Sequence, residues 1–537
     1  MGAPAATEKP VLSREDITKR ILAGETIFIL REQVIRVPPS WLSKHPAGAL
    51  PILHYVGRDA SDEVEAFHAG PTLKKLYAFS IGRIRVGPEG WQTLLPPINN
   101  GWVRKPAPEG GLCWTQNAHA TDIRAEEDGV EHDVDAQILL VQNDDPILCG
   151  EGPSSDILEP PPTSLSAATQ AAHSRAYKEL HQRITDAGLY QCRYFTGYGP
   201  EVLRYACFAA TSYVAYQHRW WFTSALALGA LWHQLVFTVH DLGHMGVTHN
   251  WVIDRIISIA LADWVGGLSI GWWVHNHNVH HVVTNHPSHD PDIQHLPFFA
   301  ISPDFLHSIY SSYYGRTLKF DKLAEILIPF QHKLFYIIMS LARFNLYRLS
   351  YEYLWKTRND PVRARGGRWA WWGEFIGLLF WWTWYTRVLI NTGSWGNAFV
   401  YLLVSNVVPS PLHVQIVLSH FSMSTAVLGP VESFPHRQLR TTSDVICHPS
   451  VEWVHGGLQL QVTHHLFPRL PRHNLKEASV LVKDFAREQG LTYAEFGFVE
   501  GNSDVIGVLR GVANQVRIMT MVADSEIEEA LSKEKQH

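Results

Sequence analysis

The sequence predicts an α-helical integral membrane protein with a small α+β domain at its N-terminus. Three observations support this fold class. Short alternating segments occur within residues 1–90, apolar stretches of about 20 residues begin only after residue 200, and tryptophan, which is enriched at membrane interfaces, occurs 20 times. The 537 residues are 46% hydrophobic and 18% charged, which excludes a disordered chain.

Charge and cysteine content exclude other classes of protein. The formal net charge of −6 argues against a general nucleic-acid binder. Five cysteines without a CxxC pair predict reduced thiols, and the charged first 20 residues predict no cleaved signal peptide. Histidine is the unusual residue, with 30 copies against 45 for lysine and arginine together. Because imidazole binds metals and carries protons, this excess indicates metal or proton chemistry.

The N-terminal part is predicted to be a small domain followed by a linker. Ile27–Val37 (IFILREQVIRV) alternates well enough for a hairpin, which the two following prolines end. An acidic, Pro- and Gly-rich linker is predicted for residues 91–175, with β-structure near Gln137–Val141. A helix is predicted within Ser164–Gly188, because this stretch contains no helix breakers.

A membrane domain is predicted for residues 176–500, before a C-terminal tail of residues 501–537. Its four transmembrane helices form two pairs, 201–218 with 220–239 and 370–391 with 397–420. Each is close to the length of about 20 residues that a helix needs to cross a bilayer. The first reaches this length only if the span accommodates the charged side chain of Arg204. The alternative is a soluble enzyme with buried core helices. Clustered tryptophans near the starts of two spans disfavour it.

Two further apolar stretches, 256–274 and 325–349, contain or adjoin charged residues, and we predict that they are interfacial helices. This assignment leaves an even number of crossings between the histidine clusters described next, so that all of them lie on one membrane face. Seven basic residues between Arg343 and Arg368 lie on the same face. The positive-inside rule then makes this face cytosolic.

Three histidine clusters follow apolar segments. They are HDLGH (His240, His244), HNVHH (His277, His280, His281) and QVTHH (Gln461, His464, His465). Spacings of three and four residues place the rings of a cluster on one helical face. A single pair of this kind most often consists of surface or core histidines that bind no metal, but three such clusters predict metal binding. Seven histidines exceed the four ligands of a zinc site and suit two ions, although imidazole binds iron, copper and zinc alike.

These motifs resemble the three histidine boxes of membrane fatty-acyl and sphingolipid desaturases. The resemblance covers about residues 10–90 and 175–500, and the glutamine that opens the third box is typical of the front-end branch with a fused cytochrome b5. It implies a cytosolic di-iron centre that uses O₂ and is held by the seven histidines. His420 is the candidate that completes the set. Gln461 either coordinates weakly or only hydrogen-bonds, and His455 and His289 are further candidate ligands.

Carboxylates near the boxes are predicted to orient the ligands. Ligating imidazoles usually donate their second N–H to a carboxylate or a carbonyl. Asp241, Asp290 and Asp292 lie within or just after the first two boxes, so we expect them to accept these hydrogen bonds.

Residues 41–70 resemble the cytochrome b5 pattern HPGG…GxDA…H. The resemblance implies haem b with His45 and His68 as axial ligands, an arrangement that leaves no open position for oxygen. Ala47 stands where the family has glycine, and its methyl group would strain the turn if this position required a positive φ. His54 is predicted to be a surface residue and not a ligand.

The resemblance is closest to fungal and plant sphingolipid Δ8 desaturases. It implies an O₂-dependent sphingolipid 8-desaturase that introduces a trans double bond at C8 of the long-chain base of ceramide or glucosylceramide. Electrons would come from NADH-cytochrome b5 reductase through the chain's own haem domain. The expected location is the endoplasmic reticulum membrane, with the N-terminus and the boxes cytosolic. The alternatives are a front-end acyl-lipid (Δ5/Δ6) desaturase, a hydroxylase and, from another class, a haem-containing membrane electron carrier.

Overall fold

The computed structural model describes residues 9–106, 112–116, 152–359 and 367–534. The β-structure predicted near Gln137–Val141 lies outside these ranges. The chain divides into two compact units. Unit 1 comprises the described residues up to Arg175 with Ser308–Leu318 and Ala426–His436, and unit 2 comprises Ala176–His307, Lys319–Thr425 and the residues from Arg437 onward.

Unit 1 contains short helices and small antiparallel sheets. Its helices are α1 (Arg14–Leu22), α2 (Pro39–Leu42), α3 (Leu50–Leu53), α4 (Ser61–Phe67) and α5 (Gly70–Leu76). Its strands are β1 (Thr26–Leu30), β2 (Gln33–Val37), β3 (Ser80–Arg83), β4 (Trp102–Pro106), β5 (Leu112–Gln116), β6 (Ile309–Ser311) and β7 (Arg316–Leu318). The strands form one three-stranded sheet, β1-β2-β3, and the pairs β4-β5 and β6-β7. The following helix, α6 (Ala167–Asp186), confirms the helix predicted there.

The hairpin predicted over Ile27–Val37 is confirmed. Strands β1 and β2 pair in antiparallel register from Thr26 with Val37 to Leu30 with Gln33, around a two-residue turn in which both residues have positive φ. Apolar side chains of the sheet pack against helix α1, for example Ile29 against Ile17. Leu158 belongs to the same core, so the segment after residue 152 packs onto the small domain.

Unit 2 is mainly helical. Its helices are α7 (Gly199–Gln217), α8 (Trp221–Gly243), α9 (Trp251–Ile259), α10 (Ile270–Val282), α11 (Lys322–Leu327), α12 (Gln331–Ser340), α13 (Ala342–Thr357), α14 (Arg368–Ile390), α15 (Trp395–Val407), α16 (Ser410–Leu418), α18 (Glu452–His455), α19 (Gln461–Leu466), α20 (Leu475–Glu488) and α21 (Phe498–Glu534). Helix α17 (Phe434–Thr441) begins in unit 1 and ends in unit 2. Two short strands, β8 (Asp444–Ile446) and β9 (Glu495–Gly497), pair in parallel.

Three helical segments among the described residues are long and apolar enough to cross a membrane: Trp221–Gly243, Trp395–Leu418 and Phe498–Ala523. The first two overlap the predicted spans 220–239 and 397–420. The third lies in the predicted C-terminal tail, where the sequence analysis placed no helix. Predicted spans 201–218 and 370–391 are helices α7 and α14, but they do not meet the same length and composition criteria. The count of four spans therefore stays a prediction.

The apolar stretch 256–274 is interrupted by a sharp bend. Segments Trp251–Val265 and Ile270–Val282 meet at 114°, and the bent pair would make a fourth span if it crosses as one. The buried carboxylate of Glu374 accepts hydrogen bonds at the bend from Ser269 Oγ (2.6 Å) and from the amide of Gly271 (3.1 Å). Ser269 also caps α10 through the amide of Trp272. These contacts fix the start of the helix that carries the second histidine cluster.

Candidate metal centre and haem pair

Eight histidines from the three clusters and from the end of the fourth predicted span lie in one buried region of unit 2. They are His240, His244, His277, His280, His281, His420, His464 and His465. Seven of them form two groups in which one donor atom per residue lies within 4.8 Å of the others. The sequence spacing predicted this convergence within each cluster, and the fold brings the clusters together.

The first group joins all three clusters. It consists of His240, His244, His277 and His464. Helix α8 provides His240 in its last turn, and the chain provides His244 directly after the helix. Both ring nitrogens of His240 and Nε2 of His244 are buried without a hydrogen-bond partner among the described residues. Buried polar atoms normally have partners. Four such imidazoles together have the donor number and chemistry that a transition metal requires.

The second group has a defined orientation of each ring. It consists of His280, His420 and His465. In each ring Nδ1 lies against an oxygen: Asp290 for His280 (2.9 Å), the Thr441 carbonyl for His420 (3.2 Å) and Gln438 Oε1 for His465 (3.0 Å). An imidazole that donates from Nδ1 keeps Nε2 as the lone-pair nitrogen. The three rings are therefore in the tautomer that binds a metal through Nε2.

His281 lies between the two groups. Its Nε2 is 3.1 Å from Nε2 of His277 and 3.1 Å from Nε2 of His464. Its ring also stacks on His465, with 4.1 Å between ring centroids. Each contact is a hydrogen bond if one of its two nitrogens carries the proton. If all three nitrogens instead present lone pairs, a cation between them would stabilise their close approach.

Electrostatics keeps the imidazoles of the third cluster neutral, whereas at His280 burial is outweighed by Asp290 and Asp292, which raise the pKa to about 9. Burial, together with the neighbouring imidazoles, holds the pKa of both His464 and His465 well below the usual value. Metal ligands must be deprotonated, so a neutral ring at physiological pH is already in the binding form. The residues present therefore fit the iron that the resemblance implies, although imidazole itself does not select iron over zinc or copper.

The predicted orienting carboxylates behave differently from one another. Asp290 accepts a hydrogen bond from Nδ1 of His280, as expected, whereas Asp292 Oδ2 lies 3.8 Å from Nδ1 of His277, which is too far for a hydrogen bond. For Asp241 the prediction is wrong, because its Oδ1 is 3.7 Å from Nδ1 of His240 and its Oδ2 accepts from the side chains of Tyr198 and Arg472. Asp241 thus attaches the first cluster to the loop that follows the third.

Sequence reasoning missed two kinds of residue that support the site. Gln438, on α17, bonds to His465 through Oε1 and donates from Nε2 to the carbonyl of His281 (2.8 Å). Asp444, on β8, accepts from the amide of Val462 (2.8 Å) and so holds the first turn of the helix with the third cluster. Neither residue lies in a motif, and only the fold places them beside the histidines.

The remaining candidate ligands are separate cases. Gln461 is buried, and its Oε1 has no hydrogen-bond partner among the described residues, so its ligand role stays a prediction. Nδ1 of His455 lies 2.8 Å from Oε1 of Gln415, and His455 is in neither group. His289 stacks on His286 at 4.1 Å and is also in neither group.

Unit 1 holds a second pair of facing histidines, His45 and His68, with 6.0 Å between their ring centroids. Nδ1 of His45 lies 2.9 Å from the carbonyl of Gly48, and Nδ1 of His68 lies 2.9 Å from the carbonyl of Val64. Both rings therefore keep Nε2 for a metal. Two metal–imidazole bonds of about 2 Å each account for most of the separation. The pair fits the axial positions of a haem iron.

Two expectations about the haem region have clear outcomes. The position with positive φ in the turn is Gly48 (φ 90°), while Ala47 is outside the left-handed region, so its methyl group adds no backbone strain. The prediction that His54 is a surface residue is wrong. Its side chain is only 2% exposed, and Nε2 lies 3.5 Å from the hydroxyl of Ser312, because a segment distant in sequence covers it.

Comparison with known proteins identifies two families. Residues 218–497 match the profile described as "Fatty acid desaturase", and residues 13–85 match "Cytochrome b5-like Heme/Steroid binding domain". The chain is 42% identical to a "Delta 8-(E)-sphingolipid desaturase" of Emericella nidulans, over 96% of each chain. It is 38% identical to the protein of the same name from Candida albicans, over 95% of this chain and 97% of that one. A "Delta(8)-fatty-acid desaturase 2" of Arabidopsis thaliana is 29% identical, over 96% of each.

Proposed function

We infer that this chain, which belongs to the fatty acid desaturase family and carries a cytochrome b5 domain, is an O₂-dependent sphingolipid 8-desaturase. It would introduce a trans double bond at C8 of the long-chain base of ceramide or glucosylceramide. The observation that carries this function is similarity at 38–42% identity, over nearly the whole chain, to fungal proteins named for that reaction. The eight converging histidines support the chemistry.

The first role of the chain's own residues would be to hold two metal ions. His240, His244, His277 and His464 would hold one ion, and His280, His420 and His465 the other, with His281 between them. When bound, two irons supply with O₂ the oxidising power that an unactivated alkyl chain requires. In the balanced reaction, one CH₂–CH₂ unit, O₂, two electrons and two protons give one CH=CH unit and two water molecules.

The second role would be to deliver the two electrons. His45 and His68 would hold haem b in unit 1, each ring oriented by a backbone carbonyl. Two histidine ligands would leave no open position for oxygen, so His45 and His68 would hold a group that supplies one-electron transfer. We propose NADH-cytochrome b5 reductase as the source. Fusion of donor and acceptor in one chain raises their effective concentration without a separate encounter.

The third role would be to place the reaction at a membrane surface. We propose four transmembrane helices with interfacial helices between them, in the endoplasmic reticulum membrane, and with the N-terminus and the histidine groups on the cytosolic side. Basic residues that follow α13 support this orientation through the positive-inside rule. A lipid chain that enters from the bilayer would then reach the histidines at the interface.

The test is expression of the full chain in a yeast that lacks such an enzyme, followed by mass spectrometry of sphingoid bases and fatty acids. We expect a new 8-unsaturated long-chain base and no new fatty acid. His464→Ala serves as the inactive control. A new double bond found only in the acyl pool would replace the proposed function with the acyl-lipid alternative. If metal analysis of the purified protein finds haem but no additional iron, the alternative of a membrane electron carrier would be favoured over a desaturase, which should hold about two further irons per chain.

A further inference from the structure

A polar cavity of about 210 Å³ lies in unit 2, where α7 and α8 meet the chain before and after the third histidine cluster. It has room for roughly seven water molecules at liquid density. Its wall includes Arg204, Gln234, Trp453, Gln459, Leu460 and Lys476. None of them belongs to the two histidine groups, so the cavity is a separate feature beside the metal centre.

The cavity and the metal centre share two segments of the chain. Phe237 and Gln234, in the wall, precede His240 on α8 by three and six residues, which corresponds to an axial rise of about 4.5 Å and 9 Å. Leu460, also in the wall, directly precedes Gln461. The cavity and the histidines are therefore built partly on the same helix and the same loop.

The charges in the wall are mostly compensated by one another. Lys476 Nζ contacts Glu452 at 2.7 Å, and the guanidinium of Arg472 donates to Glu201 at 3.2 Å. Arg204 donates to Gln234 at 2.9 Å. A wall of paired charges and amides presents many hydrogen-bonding atoms with little net field. This chemistry suits a neutral, hydroxyl-bearing ligand better than a phosphate group, which unpaired arginines recognise.

Two further wall residues have the properties that such a ligand would use. Gln459 is 7% exposed, and its Oε1 has no hydrogen-bond partner among the described residues, so a buried acceptor at the wall lacks a donor. Trp453 is 43% exposed, and Arg204 lies 5.0 Å from the centroid of its ring. An indole ring with accessible surface provides an apolar platform beside polar groups.

We propose that this cavity binds the neutral, hydroxyl-bearing head group of the sphingolipid and that Trp453, Gln459 and Lys476 determine specificity for it. The inference rests on the proposed function and adds the site that would set the distance between the head group and the reacting carbon. Seven carbon–carbon bonds separate C1 from C8 of a long-chain base, and at about 1.5 Å a bond a zigzag chain spans roughly 9 Å. The axial rise of α8 from Gln234 to His240 has a similar length, about 9 Å, so the chain length is compatible with a head group in the cavity and C8 at the histidines.

The test uses detergent-solubilised full-length enzyme with a b5 reductase and measures KM and kcat for ceramide and for glucosylceramide. The variants are Trp453→Leu, Gln459→Leu and Lys476→Gln. Two controls are matched to them. Lys483 lies on the same helix α20 and also pairs with a glutamate, so Lys483→Gln repeats the charge change outside the cavity. Trp355 is 67% exposed and distant in sequence, so Trp355→Leu repeats the loss of an indole.

We expect each cavity variant to raise KM about tenfold, the effect of losing one hydrogen bond or contact of about 1.4 kcal/mol, with kcat within twofold of the parent and with both controls unchanged. A rise for glucosylceramide alone would place the sugar in the cavity. Equal rises for both lipids would place there the groups that both lipids share, namely the amide, the C3 hydroxyl and the oxygen on C1. Unchanged KM in all three variants of an enzyme that makes 8-unsaturated bases would overturn the inference and leave the proposed function intact. A parent enzyme that makes only unsaturated fatty acids would overturn both.

Discussion

Replacement of Asp290 by asparagine tests how the chain orients its histidines. The carboxylate is completely buried and accepts hydrogen bonds from Nδ1 of His280, from the amide of Asn285 (2.7 Å) and from the amide of Asp292 (2.9 Å). Asparagine has nearly the same shape, but it replaces one acceptor oxygen by an NH₂ donor. Either amide orientation therefore directs an NH₂ group at a backbone N–H.

The size of the effect follows from these contacts. A buried donor without an acceptor costs about 1–3 kcal/mol, and 1.36 kcal/mol corresponds to a tenfold change. Loss of a carboxylate behind a metal-binding histidine lowers metal affinity or activity about 10–100-fold in other metalloproteins. The two figures agree, so we expect Asp290→Asn to lower desaturation 10–100-fold without abolishing it.

The assay combines product, iron and haem measurements on the same purified sample. We expect lower activity and less iron per haem, with an unchanged haem spectrum. The control is Asp321→Asn, at the exposed N-cap of α11, because asparagine caps a helix about as well as aspartate. If Asp290→Asn keeps the activity and the iron content of this control, the carboxylate does not orient His280 toward a metal.

Three further predictions concern the two sites and the stability of unit 1. His464→Ala should abolish desaturation and lower the iron content while the haem spectrum stays intact, and loss of that spectrum would contradict the division into two sites. His45→Ala should remove the haem spectrum and stop turnover with reductase and NADH, yet keep the non-haem iron. Burial raises the pKa of the Asp62 carboxyl to about 8. In the unfolded chain this carboxyl ionises from about pH 4, while in the folded chain it keeps its proton up to about pH 8. Unit 1 should therefore lose stability as the pH rises toward 8. Asp62→Asn should raise the thermal midpoint of unit 1 at pH 8 by a few degrees, since 1 kcal/mol shifts the midpoint of a unit of this size by about 2–4 °C. Haem-band melts at pH 5 and pH 8 measure this, and an equal pH dependence in both proteins would refute it.

The parts of the fold that were predictable depend on local patterns. The hairpin followed from alternation over Ile27–Val37, and helix α6 followed from a stretch without breakers. The convergence of each histidine cluster followed from its spacing, because residues three and four apart share a helical face. His45 and His68 were identified by a motif, and the structure places them face to face.

What was not predictable depends on contacts between distant segments. His54 was predicted to be exposed, but Ser312 lies 258 residues further along the chain and covers it. Asp241 sits inside a histidine motif, yet it bonds to Arg472 because the fold brings the two loops together. The helix from Phe498 to Glu534 is a different case, because its apolar first part is a local pattern that the sequence analysis included in a tail. The contacts of His54 and Asp241, in contrast, are not contained in any local pattern.

The arrangement of the histidines has a consequence for how the two proposed metal sites would fill. Helix α10 contributes His277 to one group and His280 to the other, and the adjacent residues His464 and His465 are divided in the same way. The two sites therefore share the same two short helices and cannot be assembled independently. The first ion to bind would order the backbone for the second, so occupancy should pass from none to two with little singly loaded protein. During iron limitation in a cell, the population would then consist of fully active and fully inactive molecules, and few molecules would be half-competent.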